Sequence, residues 1–197
     1  MSRILVPLSG GIDSATLLAL TVSQGFPAEC LFVDYGQPNR RERPAARDLA
    51  RHYHARLHET RVSLPWRWDC AAERLGYVPA RNMLILSLAS SLAEAMGYRQ
   101  IRFGAQAGDL EDYPDCTYDF LRAFNELAHA GLHGQVAVVA PFIHTAKDGV
   151  VSRARELGVP LHLTTSCLRS GDEECGTCLS CEARRKAGAP VAGWADE

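Results

Sequence analysis

Leu8-Ser9-Gly10-Gly11-Ile12-Asp13-Ser14 decides how the chain is read. The apolar run Ile4-Leu5-Val6-Pro7-Leu8 leads into it and reads as a buried strand. Ala15-Thr16-Leu17-Leu18-Ala19-Leu20 follows and is helical in character, over about residues 14–23. A strand thus turns through a glycine-rich loop into a helix. Gly10 and Gly11 are expected to supply positive φ and let a ligand approach the backbone. The N–H groups of the loop and first turn, out to Ala15 and Thr16, are expected to lack helical partners and to carry the positive end of the dipole. That arrangement suits an anion, and a phosphate best. Ser9 and Ser14 add hydroxyl donors, whereas Asp13 would repel a bare phosphate and reads as a Mg²⁺ contact or a helix cap. No lysine follows the second glycine as in a Walker loop, and the dinucleotide fingerprint is absent.

Composition bounds the rest. At 197 residues, 47% hydrophobic and 22% charged, the chain suits one globular domain with a small appendage, divided here as 1–160 and 161–197. A net charge of −2 gives no basic field, so no nucleic-acid partner is expected. No signal peptide and no 18-residue apolar span is seen, so the expected location is the cytoplasm, without a membrane partner. There, seven cysteines point to metal or catalysis rather than disulfides. Arg40-Arg41-Glu42-Arg43 and Arg184-Arg185-Lys186 read as solvated helix faces.

Taken in order, Glu29–Asp34 is a second apolar strand ending in the turn Tyr35-Gly36-Gln37. Residues 41–54 read as a helix and 57–62 as a third strand. Alternating strands and helices imply right-handed crossovers and a parallel sheet, whose ligands sit beyond the carboxyl ends of the strands. The loop and Asp34-Tyr35-Gly36-Gln37 are therefore expected to share one crevice. Residues 63–76, with Pro65, Trp66 and Trp68, read as an irregular connection. Asn82 reads as the N-cap of a helix over 83–96, with Arg81 just outside it, placed to hold a phosphate or carboxylate by its planar fork. Residues 101–104 form a fourth strand. The polar loop 105–117 follows, with Asp109, Glu111, Asp112, Tyr113, Asp115 and Cys116. A helix over 118–129, a strand over 136–141 and a helix over 147–157 complete this part. Lys147 would stand at a helix N-terminus, an unfavourable place for a cation unless it serves an anion.

Cys167, Cys175, Cys178 and Cys181 lie within fifteen residues. Paired Cys-x-x-Cys steps fold around a tetrahedral ion, and four thiolates make a closed, structural zinc site with no open position for catalysis. An iron–sulfur cluster is the rival, but the spacing of the fourth cysteine does not fit the ferredoxin pattern. Cys30 reads as core. Cys70 and Cys116 have no assigned role, and no activating partner for Cys116 can be read from the sequence.

Ser-Gly-Gly-x-Asp-Ser resembles the pyrophosphate loop of the PP-loop ATP pyrophosphatases, which cleave ATP between the α and β phosphates and adenylate a substrate oxygen. Further segments narrow the resemblance to the 7-cyano-7-deazaguanine synthases: Asp34-Tyr35-Gly36-Gln37, Val78-Pro79-x-Arg81-Asn82, Tyr113-Pro114-Asp115-Cys116, Lys147 and the four late cysteines, in the family's order and over nearly the whole chain. The resemblance implies a doubly wound α/β domain with a zinc-bearing C-terminal element, commonly a homodimer. It implies ATP, Mg²⁺ and Zn²⁺ as cofactors. It implies 7-carboxy-7-deazaguanine and ammonia as substrates, with adenylation of the carboxylate, an amide intermediate and dehydration to the nitrile. Residues 8–16 with Val33 and Asp34 would hold ATP. Asp13, Lys147 and Arg81 would act on the phosphates, and Arg81, Asn82, Tyr113 and Asp115 would face the deazaguanine. The sequence departs from the family at Ala80, usually Gly, at Glu111-Asp112, usually Ser-Gly, and at Thr117, usually Arg; the segment before Val78 is also shorter. Because the departures cluster on the acceptor side, two alternatives stand. One is a relative that stops at the amide or passes the activated group to another amine, including one on a protein. The other is a tRNA-modifying PP-loop enzyme.

Overall fold

A computed structural model of the chain describes residues 3–64, 77–109, 113–169, 171 and 173–190. The expectations for Pro65, Trp66, Trp68, Cys70, Glu111 and Asp112 lie outside the described residues. Five strands, β1 (Ile4–Pro7), β2 (Ala28–Asp34), β3 (Arg56–Arg61), β4 (Gln100–Arg102) and β5 (Ala137–Val139), form one sheet in the order β3-β2-β1-β4-β5. Every pairing is parallel. The connecting helices are α1 (Ile12–Ser23), α2 (Glu42–His52), α3 (Arg81–Met96), α4 (Tyr118–Gly131) and α5 (Lys147–Glu156), followed by α6 (Leu179–Lys186). None is long and apolar enough to cross a membrane among the described residues.

The apolar runs in the strands are continuous because both faces of the sheet are covered. Successive side chains point to opposite faces. Ile4, Val6, Leu8, Cys30 and Phe32 join α1, α2 and α5 in one core cluster. Leu5, Leu31 and Val33 join α3 and α4 in the other. The sheet is therefore doubly wound, and its strand order reverses between β1 and β4, where such folds open a crevice. At the β5 edge, Asn125 of α4 accepts from the Val138 N–H (2.8 Å) and donates to the Val138 carbonyl (2.9 Å). One side chain thus occupies edge groups that would otherwise template another strand.

Two sequence expectations are corrected here. The helix expected at 83–96 begins at Arg81, so Asn82 lies in its first turn rather than capping it. The Asp115 carboxylate does the capping, taking the Asn82 N–H at 2.8 Å. Arg184, expected on a solvated face, is the largest fully buried side chain among the described residues, at 1% exposure. It donates to the Thr164 carbonyl (3.1 Å) and the Leu161 carbonyl (2.9 Å) and lies 3.9 Å from Glu174. A run of three basic residues cannot reveal which one turns inward.

Gly10 is the tightest joint in the fold. Its φ is +85°, and a Cβ there would lie 2.7 Å from the Glu42 carbonyl oxygen and 2.8 Å from Ala45 Cβ. Gly10→Ala combines a left-handed backbone with overpacking against α2. The expected loss of folding stability is about 3 kcal/mol, read as a lower denaturation midpoint in urea at unchanged slope.

Candidate active site

One cavity of about 230 Å³ opens at the carboxyl ends of β1, β2 and β4. Leu8, Ser9, Asp13 and Ser14 come to it from β1 and the loop, and Val33, Tyr35 and Gln37 from β2. Phe103, Gly104 and Ala105 follow β4, and Arg81 and Asn82 come from the start of α3. Of Asp34-Tyr35-Gly36-Gln37, expected to share one crevice with the loop, Tyr35 and Gln37 do so, at the switch point. Asp34 is turned away: its carboxylate meets Arg43 at 2.9 Å and receives the Gly36 N–H at 3.0 Å.

Within the loop, Ser9 Oγ and Ser14 Oγ lie 3.2 Å apart. Ser9 Oγ accepts from the Gly11 N–H (3.3 Å), and Ser14 Oγ donates to the Gly11 carbonyl (3.1 Å). Only Gly10 of the two glycines has positive φ; Gly11 is extended, at φ −79°. The open N–H groups also stop earlier than expected. Ala15 already donates to the Gly11 carbonyl (3.0 Å), so the helical ladder begins there and Thr16 lies inside it, buried. The cause is the position of the cap, since Gly11 and not Ser14 precedes the first helical residue.

Lys147 at the start of α5 reaches back across the chain to Asp13, with Nζ 2.7 Å from both carboxylate oxygens. The anion that justifies a cation at a helix N-terminus is, in this state, Asp13 itself. The segment after α5 also supports the loop. Thr165 donates its N–H to the Gly10 carbonyl at 2.9 Å.

Arg81 stands over the Tyr113 ring, 5.5 Å from its centroid, and Tyr77 stacks on Tyr113 at 6.2 Å. Asn82 Nδ2 donates to Asp115 Oδ1 (3.2 Å) and contacts Cys116 Sγ (3.1 Å). Arg81 and Asn82 line the cavity, and Asp115 sits behind Asn82, holding it in place. Burial, with Asp109 and Asp115 nearby, pushes the Cys116 thiol up to about 12. It is therefore no nucleophile at neutral pH. Cys30 is pushed up to about 12 by burial as well, as a core thiol should be.

Three wall residues were not singled out as site residues from the sequence. Gln37 lies in a turn whose position was read correctly. Asp109 is one acid in a polar loop. Burial and the neighbouring Asp13 charge raise its pKa, while Gln106 holds both of its oxygens. Glu42 hides in a basic run, and burial pushes its carboxyl up to about 7. It is the one acid among Arg40, Arg41 and Arg43, and that sign reversal was the available signal.

The four late cysteines do converge. Their sulfurs all lie within 4.8 Å of one another. Backbone N–H groups of Arg169 and Cys175 point at Cys167 Sγ (both 3.4 Å), and Leu168 at Cys178 Sγ (3.5 Å). N–H donors aimed at sulfur suit thiolates more than thiols, so the donor set fits a soft divalent ion. Cys167 is tied to the loop side of the molecule, since Asn39 Nδ2 donates to its carbonyl (2.8 Å).

Comparisons with known proteins agree over most of the chain. The family model described as "Queuosine biosynthesis protein QueC" matches residues 3–72 and 68–191. A protein of Desulfitobacterium hafniense named 7-cyano-7-deazaguanine synthase 2 is 37% identical over 205 residues, covering 94% of this chain and 88% of its own length. The 7-cyano-7-deazaguanine synthase of Synechococcus elongatus is 40% identical over 209 residues, covering 95% and 90%. Among solved structures, a 4-thiouridine synthetase–RNA complex with bound ATP aligns at a TM-score of 0.56 and 19% identity, over 80% of this chain and 41% of that one, which is a likeness of fold. With the family matched across both the loop half and the cysteine half, the chain belongs to the QueC family of queuosine biosynthesis proteins.

Proposed function

We propose that this chain is an ATP-dependent carbon–nitrogen ligase that converts 7-carboxy-7-deazaguanine and ammonia to 7-cyano-7-deazaguanine. The observation that carries the reading is a cavity with the Ser9–Ser14 loop on one wall and Arg81 and Asn82 on another. In this reading residues 1–160 do the chemistry and residues 161–197 are a zinc-bearing element packed on them. The protein works as a cytoplasmic homodimer without nucleic-acid or membrane partners.

A carboxylate is a poor electrophile, and transfer of AMP to it creates a leaving group. ATP lies along the loop, with the N–H groups of Gly11 to Ser14 and the Ser9 and Ser14 hydroxyls on its phosphates and Val33 beside the nucleoside. Lys147 exchanges its bond to Asp13 for the departing pyrophosphate, and the preset donors stabilise charge as it develops. Asp13 and Asp109, close enough that the Asp13 charge helps raise the Asp109 carboxyl, would hold Mg²⁺, which neutralises phosphate charge when bound. Arg81 orients the acid. Tyr113 offers an aromatic face to the deazaguanine, and Asp115 acts by fixing Asn82 and the start of α3. Two departures from the family have local explanations. Ala80 takes the left-handed conformation (φ +54°) that favours glycine, at a cost of about 1–2 kcal/mol. Thr117 caps α4, accepting the Phe120 N–H at 3.1 Å.

Mass spectrometry of products from 7-carboxy-7-deazaguanine, Mg-ATP and ammonium is expected to show the nitrile, with AMP and pyrophosphate. An amide that accumulates instead points to the relative that stops early or serves another amine. No AMP at all refutes the substrate. Lys147→Ala is expected to slow pyrophosphate release about a hundredfold or more while the protein stays folded, as judged by circular dichroism. Metal analysis is expected to find one zinc per chain. Its loss in Cys178→Ser should lower the melting temperature and also weaken ATP binding measured by calorimetry, because Thr165, in the segment leading into the cluster, braces Gly10 of the loop.

A further inference from the structure

Among the described residues four carboxylates stand at or behind the cavity, and three are fully engaged. Asp13 gives both oxygens to Lys147. Asp109 takes the backbone N–H of Gln106 at 3.2 Å and its side-chain amide at 2.9 Å. Asp115 gives one oxygen to the Asn82 N–H and the other to its side-chain amide. Glu42 differs. Among the described residues its carboxylate has one hydrogen-bond donor, Gln37 Nε2, 3.0 Å from Oε2. That leaves Oε1 for the cavity that Glu42 lines.

The orientation of that donor is fixed. Gln37 Oε1 accepts the Tyr35 N–H at 3.0 Å, and Nε2 also donates to the Val33 carbonyl at 3.2 Å. The amide therefore cannot flip, and its N–H must point at Glu42. A neutral donor steadies the carboxylate without quenching its charge, so it keeps its capacity to take a small cationic donor. The charged and titratable groups facing Glu42 are Arg81 from α3 and Tyr35 from the turn after β2. Arg43, its neighbour on α2, is turned to Asp34 (2.9 Å) and Glu59 (3.5 Å).

The proposed reaction needs a nitrogen nucleophile, and ammonia in neutral solution is mostly ammonium, which has no lone pair. We propose that Glu42 is the site that receives ammonium and takes the proton that frees its lone pair; this rests on the ligase reading given above. Ammonium loses one proton to the Glu42 carboxylate. The nitrogen then attacks the carbonyl carbon of the acyl adenylate, forming the C–N bond. The C–O bond to AMP breaks with its electron pair on the phosphate, which carries off the second proton, leaving the amide. A proton acceptor for this step works best near the operating pH, and burial holds the Glu42 carboxyl at about 7, against the lowering effects of Gln37 and Arg81.

The same shift argues against a structural role. A carboxyl raised from 4.5 to about 7 favours the folded state at low pH. That contribution is lost as pH rises through the window, so above it the ionised group works against folding. Glu42→Gln removes the charge and is expected to melt no lower than the unaltered protein at pH 8.

Single-turnover reactions of the full chain with Mg-ATP, 7-carboxy-7-deazaguanine and ammonium chloride separate the steps. Glu42→Gln is expected to release pyrophosphate within threefold of the unaltered protein, while amide formation falls about a hundredfold. Glu42→Asp should recover part of the loss. Amide formation by Glu42→Gln within threefold of normal would overturn the assignment. So would a parallel fall in pyrophosphate release, which would place Glu42 in the adenylation step. Failure of the unaltered protein to release pyrophosphate would refute the underlying reaction, a result distinct from either.

Discussion

The arrangement depends on the absence of a side chain at Gly10. With no Cβ, the loop lies against the first turn of α2, and the same residue offers its carbonyl to Thr165. Three parts of the chain distant in sequence thus meet on one residue. The loop after β1, the helix that begins with Glu42, and the segment leading into the cysteine cluster have their relative positions set there. The helix contributes a carboxylate to the cavity. The segment contributes a brace that leads into four cysteines able to hold a metal ion, and an ion bound there would cross-link them through one point.

This explains why a four-cysteine element accompanies a nucleotide-type loop without touching the cavity. Thr165 and Ser166 are pinned by the buried Glu174, whose carboxylate accepts from the Thr165 hydroxyl (3.0 Å) and the Ser166 N–H (2.8 Å). Glu174 is charge-compensated by Arg184 of α6, and both side chains are 1% exposed. A buried pair of this kind adds little net stability but is costly to break. Its effect is to fix one geometry for the strip that supports Gly10. The cysteines and the Arg184–Glu174 pair are two fasteners on the same strip.

How much of this was legible follows from the range of each interaction. The five strands, their parallel pairing and the loop were readable because apolar runs and a strand–glycine–helix transition are local patterns, and element ends differ from expectation by at most two residues. The cysteine cluster was readable because its spacing is short. The role of Asn82 was misread because its capping partner, Asp115, is 33 residues away. Arg184 was misread because two of its acceptors, the Thr164 and Leu161 carbonyls, lie in a segment some twenty residues earlier. Glu42 was passed over because its neighbours in sequence are arginines, whereas its neighbours in space are Gln37 and Arg81. Local pattern reports which face is apolar; it cannot report which polar group has been taken out of water.

The carboxylates show what that distinction is worth. Asp13, Asp109 and Glu42 line one cavity, and in water they would titrate almost together. Here each has a different keeper: an ammonium for Asp13, a doubly donating glutamine for Asp109, and a single neutral amide for Glu42. A donating partner favours the charged form of a carboxyl, while burial opposes it. Burial raises the carboxyls of Asp109 and Glu42, the latter to about 7, although Gln106 and Gln37 pull the other way. For the proposed reaction, which needs a cation held, a polyanion bound and a proton accepted within one small volume, the partner that each carboxylate keeps marks which task it can do.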